Sequence, residues 1–229
     1  ARSADSRVFS LDNVDGRRRW VYQRAIPALT IRSSAGLVVQ DNLAFVGFAG
    51  GRMVALSLLN GGLRWDIAVA QPKGATELER VADVSGNPWV SGREVCAVTF
   101  QGRVGCFDVA NGQALWARDM SSSVGLSGDP RYLFVPDERG AVHALDRSNG
   151  TSFWKQDRFF LRAPTVPLSM GKQIVVADVE GLVHFMDRES GAFVARASTD
   201  SSGVVSPMIV IPGGVLVQTR NGGLFALGL

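Results

Sequence analysis

The sequence predicts an all-β protein, a β-propeller built from four-stranded antiparallel blades. The first observation is a recurring phrase: an apolar strand end, Asp or Ser, three residues, Gly, three residues and Trp. Its copies are Leu11-Asp12…Gly16…Trp20, Leu56-Ser57…Gly61…Trp65, Phe107-Asp108…Gly112…Trp116, Leu145-Asp146…Gly150…Trp154 and, without the Trp, Met186-Asp187…Gly191…Ala195. The second observation is a set of glycines before these apolar ends, at Gly51, Gly102, Gly140, Gly181 and Gly222. Their spacing of roughly 40 residues is typical of one propeller blade.

Each repeat unit reads as four short strands. In the unit that ends at Trp154, the predicted strands are Val124–Ser127, Arg131–Val135, Ala141–Asp146 and Ser152–Gln156. The last two are joined at Asn149-Gly150, because Asn and Gly accept the positive φ of a tight turn at little cost. The next unit repeats the pattern with the apolar runs Ile174–Ala177, Val183–Met186 and Phe193–Ala195. The Trp is expected to cover the edge of its blade, burying a large apolar area.

The number of units predicts a partial propeller over residues 1–229. The chain opens with a third and a fourth strand only, at residues 7–23. Four complete units follow, and the closing unit lacks its fourth strand. The opening pair would supply one strand too many to complete the closing blade. We therefore expect about five blades that form the C-terminal part of a larger propeller.

Composition is that of a globular protein with a sizeable core, at 46% hydrophobic and 20% charged residues among 229. The net charge is +3, and the one basic run, Arg17–Arg19, is interpreted as a turn rather than a nucleic-acid surface. No apolar run approaches the roughly 20 residues that span a bilayer. Residues 1–15 lack the apolar region of a signal peptide, so the protein is either cytosolic or has lost its targeting segment.

Two cysteines, Cys96 and Cys106, flank the turn at Gly102. They are expected on adjacent antiparallel strands, where opposed Cα atoms lie close enough for a disulfide. A disulfide would form in an oxidising compartment, and the alternative is a pair of small buried thiols. Their spacing fits neither a redox motif nor a zinc site.

No residue pattern points to catalysis. His143 and His184 share one repeat position, which Phe9 and Val54 occupy elsewhere, so we interpret this position as structural rather than metal-binding. The aspartates of the phrase are distributed one per blade, whereas acid–base catalysis needs carboxylates that converge on one cleft. They are expected to accept backbone N–H bonds in the turns. We therefore expect a binding protein, not an enzyme, with no cofactor and no metal.

Two long connections are the candidate binding elements, because long loops on rigid scaffolds often carry function. The first contains Ala28–Ser34, in which Leu29 and Ile31 alternate; it is either an outward apolar patch with a charged edge or a buried first strand. The second, Gln71–Gly86, holds about ten extra residues, and Thr76 and Glu79 have the spacing of a capping box. Consecutive connections are expected to be neighbours on one rim.

The residues resemble the quinoprotein-alcohol-dehydrogenase-like β-propellers and, within that group, the C-terminal portion of the outer-membrane assembly lipoproteins. The stretches that carry the resemblance are Pro27–Gly36, Ala75–Pro88, Val175–His184 and Asp200–Gly203. The resemblance implies an eight-bladed propeller on the periplasmic face of a Gram-negative outer membrane, held there by an N-terminal lipid that this chain does not carry. It also implies a scaffold for folding β-barrel proteins, whose partner is BamA, bound through that protein's POTRA domains.

The family's partner-binding residues are a Leu-x-Leu-Arg run and a nearby Asp-x-Asp. By resemblance, the run falls on Leu29, Ile31 and Arg32, with Ile in place of the second Leu. The first Asp falls on Asp83. Its companion falls on Ser85, so one carboxylate is missing. A further possibility is that exposed strand edges capture unfolded outer-membrane proteins by strand addition.

The alternative function is that of a fragment of a pyrroloquinoline-quinone-dependent dehydrogenase. Such an enzyme holds its cofactor in the central channel, usually with a calcium ion bound by Glu, Asn and Asp. These enzymes commonly carry a disulfide between adjacent cysteines, whereas Cys96 and Cys106 are ten residues apart.

Overall fold

The computed structural model of the protein describes residues 1–31, 35–204 and 207–228. Within these residues, 21 β-strands form six antiparallel sheets, and no residue is helical. The chain divides into two compact units, Ala1–Leu126 and Ser127–Leu229. In every sheet the strands follow one another in chain order, as consecutive hairpins.

The first unit holds a two-stranded sheet and two four-stranded sheets. The strands are β1 (Arg7–Leu11) and β2 (Arg18–Gln23); β3 (Leu37–Gln40), β4 (Leu43–Phe48), β5 (Arg52–Ser57) and β6 (Leu63–Ala68); and β7 (Val84–Ser91), β8 (Glu94–Thr99), β9 (Arg103–Asp108) and β10 (Ala114–Asp119). These sheets confirm the predicted opening pair and the first two complete blades.

The second unit holds two four-stranded sheets and one three-stranded sheet. The strands are β11 (Ser127–Gly128), β12 (Tyr132–Pro136), β13 (Val142–Asp146) and β14 (Ser152–Gln156); β15 (Leu168–Met170), β16 (Gln173–Ala177), β17 (Leu182–Asp187) and β18 (Phe193–Ser198); and β19 (Ile209–Ile211), β20 (Gly214–Gln218) and β21 (Leu224–Gly228). The three-stranded sheet confirms the prediction that the closing unit lacks a fourth strand.

The central strands are apolar on both faces because a neighbouring sheet packs on each face. In the first unit, Phe45 of β4 shares a buried cluster with Val95 of β8. The next residue, Val46, faces the other way and shares a cluster with Val8 of β1. Sheet-on-sheet packing of this kind is what makes β4 read as a continuous apolar run in the sequence.

The same alternation holds in the second unit. Ile174 of β16 clusters with Phe134 of β12, and its neighbour Val175 clusters with Val215 of β20. The fourth strand of each complete blade lies at an edge of its sheet and is less buried than the central strands, most of all in β18. Each blade is therefore buried in its middle and open along its last strand.

The Trp of the repeat ties one sheet to the next. The indole Nε1 groups donate to backbone oxygens of the following sheet at 2.9 Å, Trp20 to Leu58, Trp65 to Val109 and Trp154 to Arg188. The Gly of that following sheet lies under the ring, so a Cβ on Gly61, Gly112 or Gly191 would lie within 3.1 Å of ring atoms. The phrase therefore spans two sheets, since its Gly leaves room for the Trp of the sheet before it.

The aspartates of the phrase shape the turns, as predicted. Asp108 Oδ1 accepts hydrogen bonds from the N–H groups of Ala110 at 2.8 Å and Asn111 at 3.3 Å. Hydrogen bonding by the Ala110 N–H is the main reason why the pKa of Asp108 lies below its ordinary value. The same bonding recurs at Asp12, Asp146 and Asp187. These carboxylates therefore stabilise the turns of the repeat.

Cys96 on β8 and Cys106 on β9 are direct partners in the strand register. They form a disulfide with their Cα atoms 4.0 Å apart, and both residues are fully buried. Of the two alternatives that the sequence leaves open, the structure shows the bonded form. The bond joins the two central strands of one sheet.

The predicted first strand Val124–Ser127 is wrong, because only Ser127 of it belongs to β11. Gly125 adopts φ +114°, which interrupts an extended backbone. The Ser122 hydroxyl also closes a local turn by donating to the Gly125 oxygen at 3.2 Å. The apolar alternation of Val124 and Leu126 therefore does not come from a strand.

Candidate functional site

Two long connections of the first unit meet to form the candidate site. One joins β2 to β3 over residues 24–36, and the other joins β6 to β7 over residues 69–83. The Asp83 carboxylate holds them together, because Oδ2 accepts from Ile31 N at 2.8 Å and Oδ1 accepts from Gly50 N at 3.1 Å. The connections are neighbours, as their positions in the repeat predict.

The described part of the first connection is not a strand. Residues 24–31 have no regular structure, and the first strand of this blade begins at Leu37. Leu29 is 43% exposed and Ile31 is half-buried. The alternative of a buried first strand therefore does not hold for these residues. Arg32, the third predicted contact of this run, lies outside the described residues.

The second connection contains the predicted capping box. Glu79 N donates to Thr76 Oγ1 at 3.2 Å, and Glu79 Oε2 accepts from Thr76 N at 3.1 Å and Ala75 N at 2.7 Å. These backbone N–H bonds, with Thr76 first, lower the pKa of Glu79. Arg80 N donates to the Thr76 oxygen at 3.2 Å, which closes one turn. The insertion is thus a folded element with a defined shape.

A shallow cavity of about 150 Å³ lies between the two connections. It is lined by Pro27–Leu29 from the first and by Glu77 and Arg80–Asp83 from the second. The side chains of Glu77 and Arg80 are 71% and 52% exposed and form an ion pair of 3.8 Å at its border. An apolar recess with a mixed-charge border can hold a partner's side chain.

Asp83 and Ser85, the two positions assigned to acidic partner contacts, face inward. Asp83 is 2% exposed, and both of its oxygens are occupied by backbone N–H groups. Ser85 is 1% exposed, and its hydroxyl donates to the Asp83 backbone oxygen at 3.4 Å. Ser85 therefore presents no polar group to the surface of the candidate site.

Sequence reasoning did not foresee two contributors to this surface. Gly50 supplies a backbone N–H to Asp83, and Leu78 is 70% exposed on the insertion. The tandem Gly50-Gly51 was a usable signal, since both residues have positive φ, of 72° and 70°. A Cβ on Gly51 would lie 2.3 Å from the Ala70 oxygen, so this glycine permits the close approach of the second connection.

The two histidines form pairs with aspartates, in keeping with a structural role. His143 Nε2 lies 2.8 Å from Asp137 Oδ2, and His184 Nε2 lies 2.8 Å from Asp178 Oδ2. Burial alone would raise the pKa of Asp178, but hydrogen bonds from His184 and Arg162 outweigh it and lower that pKa. Across the described ranges, no group of three or more His, Cys, Asp or Glu residues could hold a metal ion.

None of the described residues belongs to a helix long and apolar enough to cross a membrane.

The chain is similar in sequence to members of one known protein family. A family model described as outer membrane protein assembly factor BamB matches residues 1–156. The chain is 42% identical over 224 residues to the BamB of Bordetella pertussis and 41% identical over 229 residues to that of Nitrosomonas eutropha. These alignments cover 97% and 100% of this chain but only 58% and 56% of the relatives. The chain thus spans little more than half of their length.

Solved structures agree. The crystal structure of BamB from Moraxella catarrhalis matches with a TM-score of 0.88 and 26% identity, covering 96% of this chain and 66% of that chain. A quinohemoprotein alcohol dehydrogenase from Comamonas testosteroni matches with a TM-score of 0.69 at 15% identity, covering 99% of this chain and 43% of that one. The second likeness shows the fold alone. The predicted β-propeller class is confirmed, and the chain belongs to the family of the outer membrane protein assembly factor BamB.

Proposed function

We propose that this protein is a non-catalytic scaffold of the β-barrel assembly machinery and that it binds the POTRA domains of BamA. The proposed contact residues are Leu29, Ile31, Arg32 and Asp83, and the Asp83 carboxylate also holds the backbone of Ile31. The observation that carries the proposal is the pair of bonds from Ile31 N and Gly50 N to the buried Asp83 carboxylate. They bring the segment that resembles the family's partner-binding run against the folded insertion.

Apolar contacts supply most of the binding free energy in this proposal. Leu29 is 43% exposed beside the cavity and loses that exposure when a partner covers it. Arg32 donates charge-assisted hydrogen bonds to acidic groups of the partner, and Arg is a frequent anchor of interfaces. No step of this function transfers a group, so no catalytic residue is required.

We place this activity on the periplasmic face of the outer membrane of a Gram-negative bacterium. The disulfide between Cys96 and Cys106 supports this location, because such bonds form and persist in the oxidising periplasm. The relatives from Bordetella pertussis and Nitrosomonas eutropha bear the name of an outer membrane assembly factor. We further propose that the proteins it helps to assemble are β-barrels that are folded and inserted into that membrane.

The dehydrogenase alternative is not favoured. The curated relatives at 42% and 41% identity are named as assembly factors, whereas the likeness to the dehydrogenase rests on 15% identity. The disulfide here joins two strands rather than adjacent residues.

A pull-down with the POTRA domains of BamA tests the proposal. Arg32→Glu is expected to abolish co-purification, because it places a carboxylate where the partner is acidic. The matched control is Arg64→Glu, at an exposed position of β6, which is expected to bind as the wild type does. Both variants are expected to keep the wild-type circular dichroism spectrum. Undiminished binding by Arg32→Glu would remove this site.

Capture of unfolded outer-membrane proteins is a second candidate function. Fourth strands have an open edge and exposed apolar side chains, among them Leu63, Leu115, Phe153 and Val194. An extended client could add a strand there. Crosslinking under the pull-down conditions that recovers BamA and never an unfolded barrel protein would speak against this second function.

A further inference from the structure

A second surface lies within the second unit, between β18 and the connection that joins β14 to β15. It is an open cavity of about 500 Å³ lined by Phe193, Val194 and Ala195 of β18. Arg158 and Arg162 of the connection and His184 and Arg196 of the sheet also line it. A cavity of this size can hold a few side chains of a partner. No residue of this surface belongs to the surface proposed for BamA.

The connection beside the cavity carries a short apolar tip, Phe160 and Leu161, and the residues on either side of this tip are held against the sheet. Phe159 is fully buried and meets the His184 ring edge-on, with the centroids 5.0 Å apart. Arg162 Nε donates to Asp178 at 2.7 Å. Between these anchors, Phe160 and Leu161 are 66% and 83% exposed. The tip is therefore held out into solvent rather than folded onto the sheet.

The backbone of this tip is strained. Leu161 has φ 60° and the nearby Ala163 has φ 43°, a region that residues with a Cβ rarely adopt. Such conformations persist only where the surroundings impose them, and they cluster at binding sites. The anchors at Phe159 and Arg162 impose this one.

The charges around the cavity are not balanced. Arg162 is neutralised by Asp178 at 2.7 Å and Glu180 at 2.8 Å. Arg158 and Arg196 are exposed, and neither guanidinium forms an ion pair with any residue that the structure describes. Two free cations therefore line the cavity beside the apolar side chains of β18. The complementary group is a carboxylate attached close to an apolar side chain.

We infer that this cavity binds an acidic peptide segment in which Glu or Asp adjoins an apolar side chain. The carboxylate lies between Arg158 and Arg196, and the apolar side chain packs on residues 193–195. The exposed tip, Phe160 and Leu161, extends the apolar contact. A peptide fits better than a membrane, because Arg158 and Arg196 line a cavity of about 500 Å³, a concave site that individual side chains can fill and a bilayer surface cannot enter.

Fluorescence anisotropy with the 229-residue chain tests this inference. The probe is a labelled, end-blocked peptide that alternates Glu and Leu, compared with the same peptide carrying Gln for Glu. We expect the Gln peptide to bind about tenfold more weakly, since it loses the charge-assisted hydrogen bonds. The double variant Arg158→Glu/Arg196→Glu should weaken the Glu peptide by about tenfold as well.

The matched control is Arg139→Glu, another exposed arginine of the second unit, which should bind the Glu peptide as the wild type does. Phe160→Ser should weaken binding severalfold without changing the preference for Glu over Gln. Equal binding of the two peptides, or an equal loss with Arg139→Glu, would overturn the inference. A third result would also overturn it: the protein binds phosphatidylglycerol vesicles through Arg158 and Arg196 and does not bind the peptide. None of these results bears on the surface proposed for BamA, because that surface is tested with Arg32→Glu, a different variant.

Discussion

Asp83 illustrates how a side chain can serve a binding surface from beneath it. The resemblance to the family assigns Asp83 to the partner contact, yet the residue is only 2% exposed. Its two oxygens accept hydrogen bonds from Ile31 N and Gly50 N, which belong to two different parts of the chain. We therefore regard Asp83 as a positioning residue that sets where Leu29 and Ile31 lie.

Replacing Asp83 by Ala is expected to weaken POTRA binding and the fold together. Two backbone N–H groups would lose their acceptor, and an unsatisfied buried donor costs about 1–3 kcal/mol. Urea unfolding measures the stability, and the POTRA pull-down measures the binding. Asp15→Ala is the control, because Asp15 forms an ion pair with Arg17 and accepts a hydrogen bond from Arg17 N, both of them exposed to solvent. A variant of Asp83 that binds BamA normally would show that the segment needs no such support.

At the scale of the element, the repeated phrase specifies a contact between two neighbouring sheets as well as the strands of one blade. Trp154 donates to the Arg188 oxygen of the next sheet and covers Gly191 there. The turn containing Gly191 is shaped by Asp187, whose Oδ1 accepts from Ser190 N at 2.8 Å. Two successive copies of the phrase thus cooperate at the sheet-to-sheet contacts made by Trp20, Trp65 and Trp154.

Gly191→Ala compared with Gly213→Ala isolates the contribution of this contact. The two glycines have similar φ, +70° and +76°, but a Cβ on Gly191 would lie 2.6 Å from Trp154, whereas nothing lies within 4 Å of one on Gly213. Gly213→Ala should cost about 1–2 kcal/mol for the left-handed backbone. Gly191→Ala should cost about 1–3 kcal/mol more, because it overpacks the ring. Urea unfolding of both variants provides the values, and equal losses would contradict the sheet-to-sheet contact.

At the scale of the whole molecule, many carboxylates are held in their charged form by the fold. The pKa is lowered by hydrogen bonds at Asp146 and Asp187, chiefly those from Ser148 and Ser190. At Asp129 and Asp137 burial works in the opposite direction, but the hydrogen bonds outweigh it. Each such group binds a proton less readily in the folded protein than in the unfolded chain.

Stability should therefore decrease in acid. A carboxyl with a lowered folded pKa contributes stability that is complete above its unfolded pKa, about 3.9 for Asp. That contribution is lost as the pH falls through the folded pKa. We expect the free energy of unfolding to be nearly constant from about pH 7 to 5 and to fall below about pH 4. Asp187→Asn should make the fall shallower, and stability that rises towards low pH would refute the expectation.

The fold was predictable because its signals are local and repeated. Each phrase specifies a strand end and a turn, and four of the five copies add a Trp four residues after the Gly, so strands such as Ser152–Gln156 are placed correctly. The strand expected at Val124–Ser127 fails because Gly125 takes a positive φ that no pattern of apolar residues reveals. A single residue with positive φ can therefore end a strand that the repeat pattern predicts.

The two connections that form the candidate site were predictable from the sequence, but the directions of their side chains were not. Loop lengths alone marked the two connections, since an insertion changes the count of residues between strands. The inward direction of Asp83 depends on Gly50 and Ile31, which lie 33 and 52 residues away in the chain. Such contacts depend on how sheets stack, and a single sequence without an alignment does not carry that information.

The disulfide has a consequence for how the protein is made. Both sulfur-bearing residues are 0% exposed, at the centre of a sheet that other side chains cover. No oxidant or oxidoreductase reaches them in the finished fold, so the thiols must be oxidised while the hairpin of β8 and β9 is still open to solvent. Oxidation therefore comes before the blades close over this pair, and material folded under reducing conditions would keep two buried thiols.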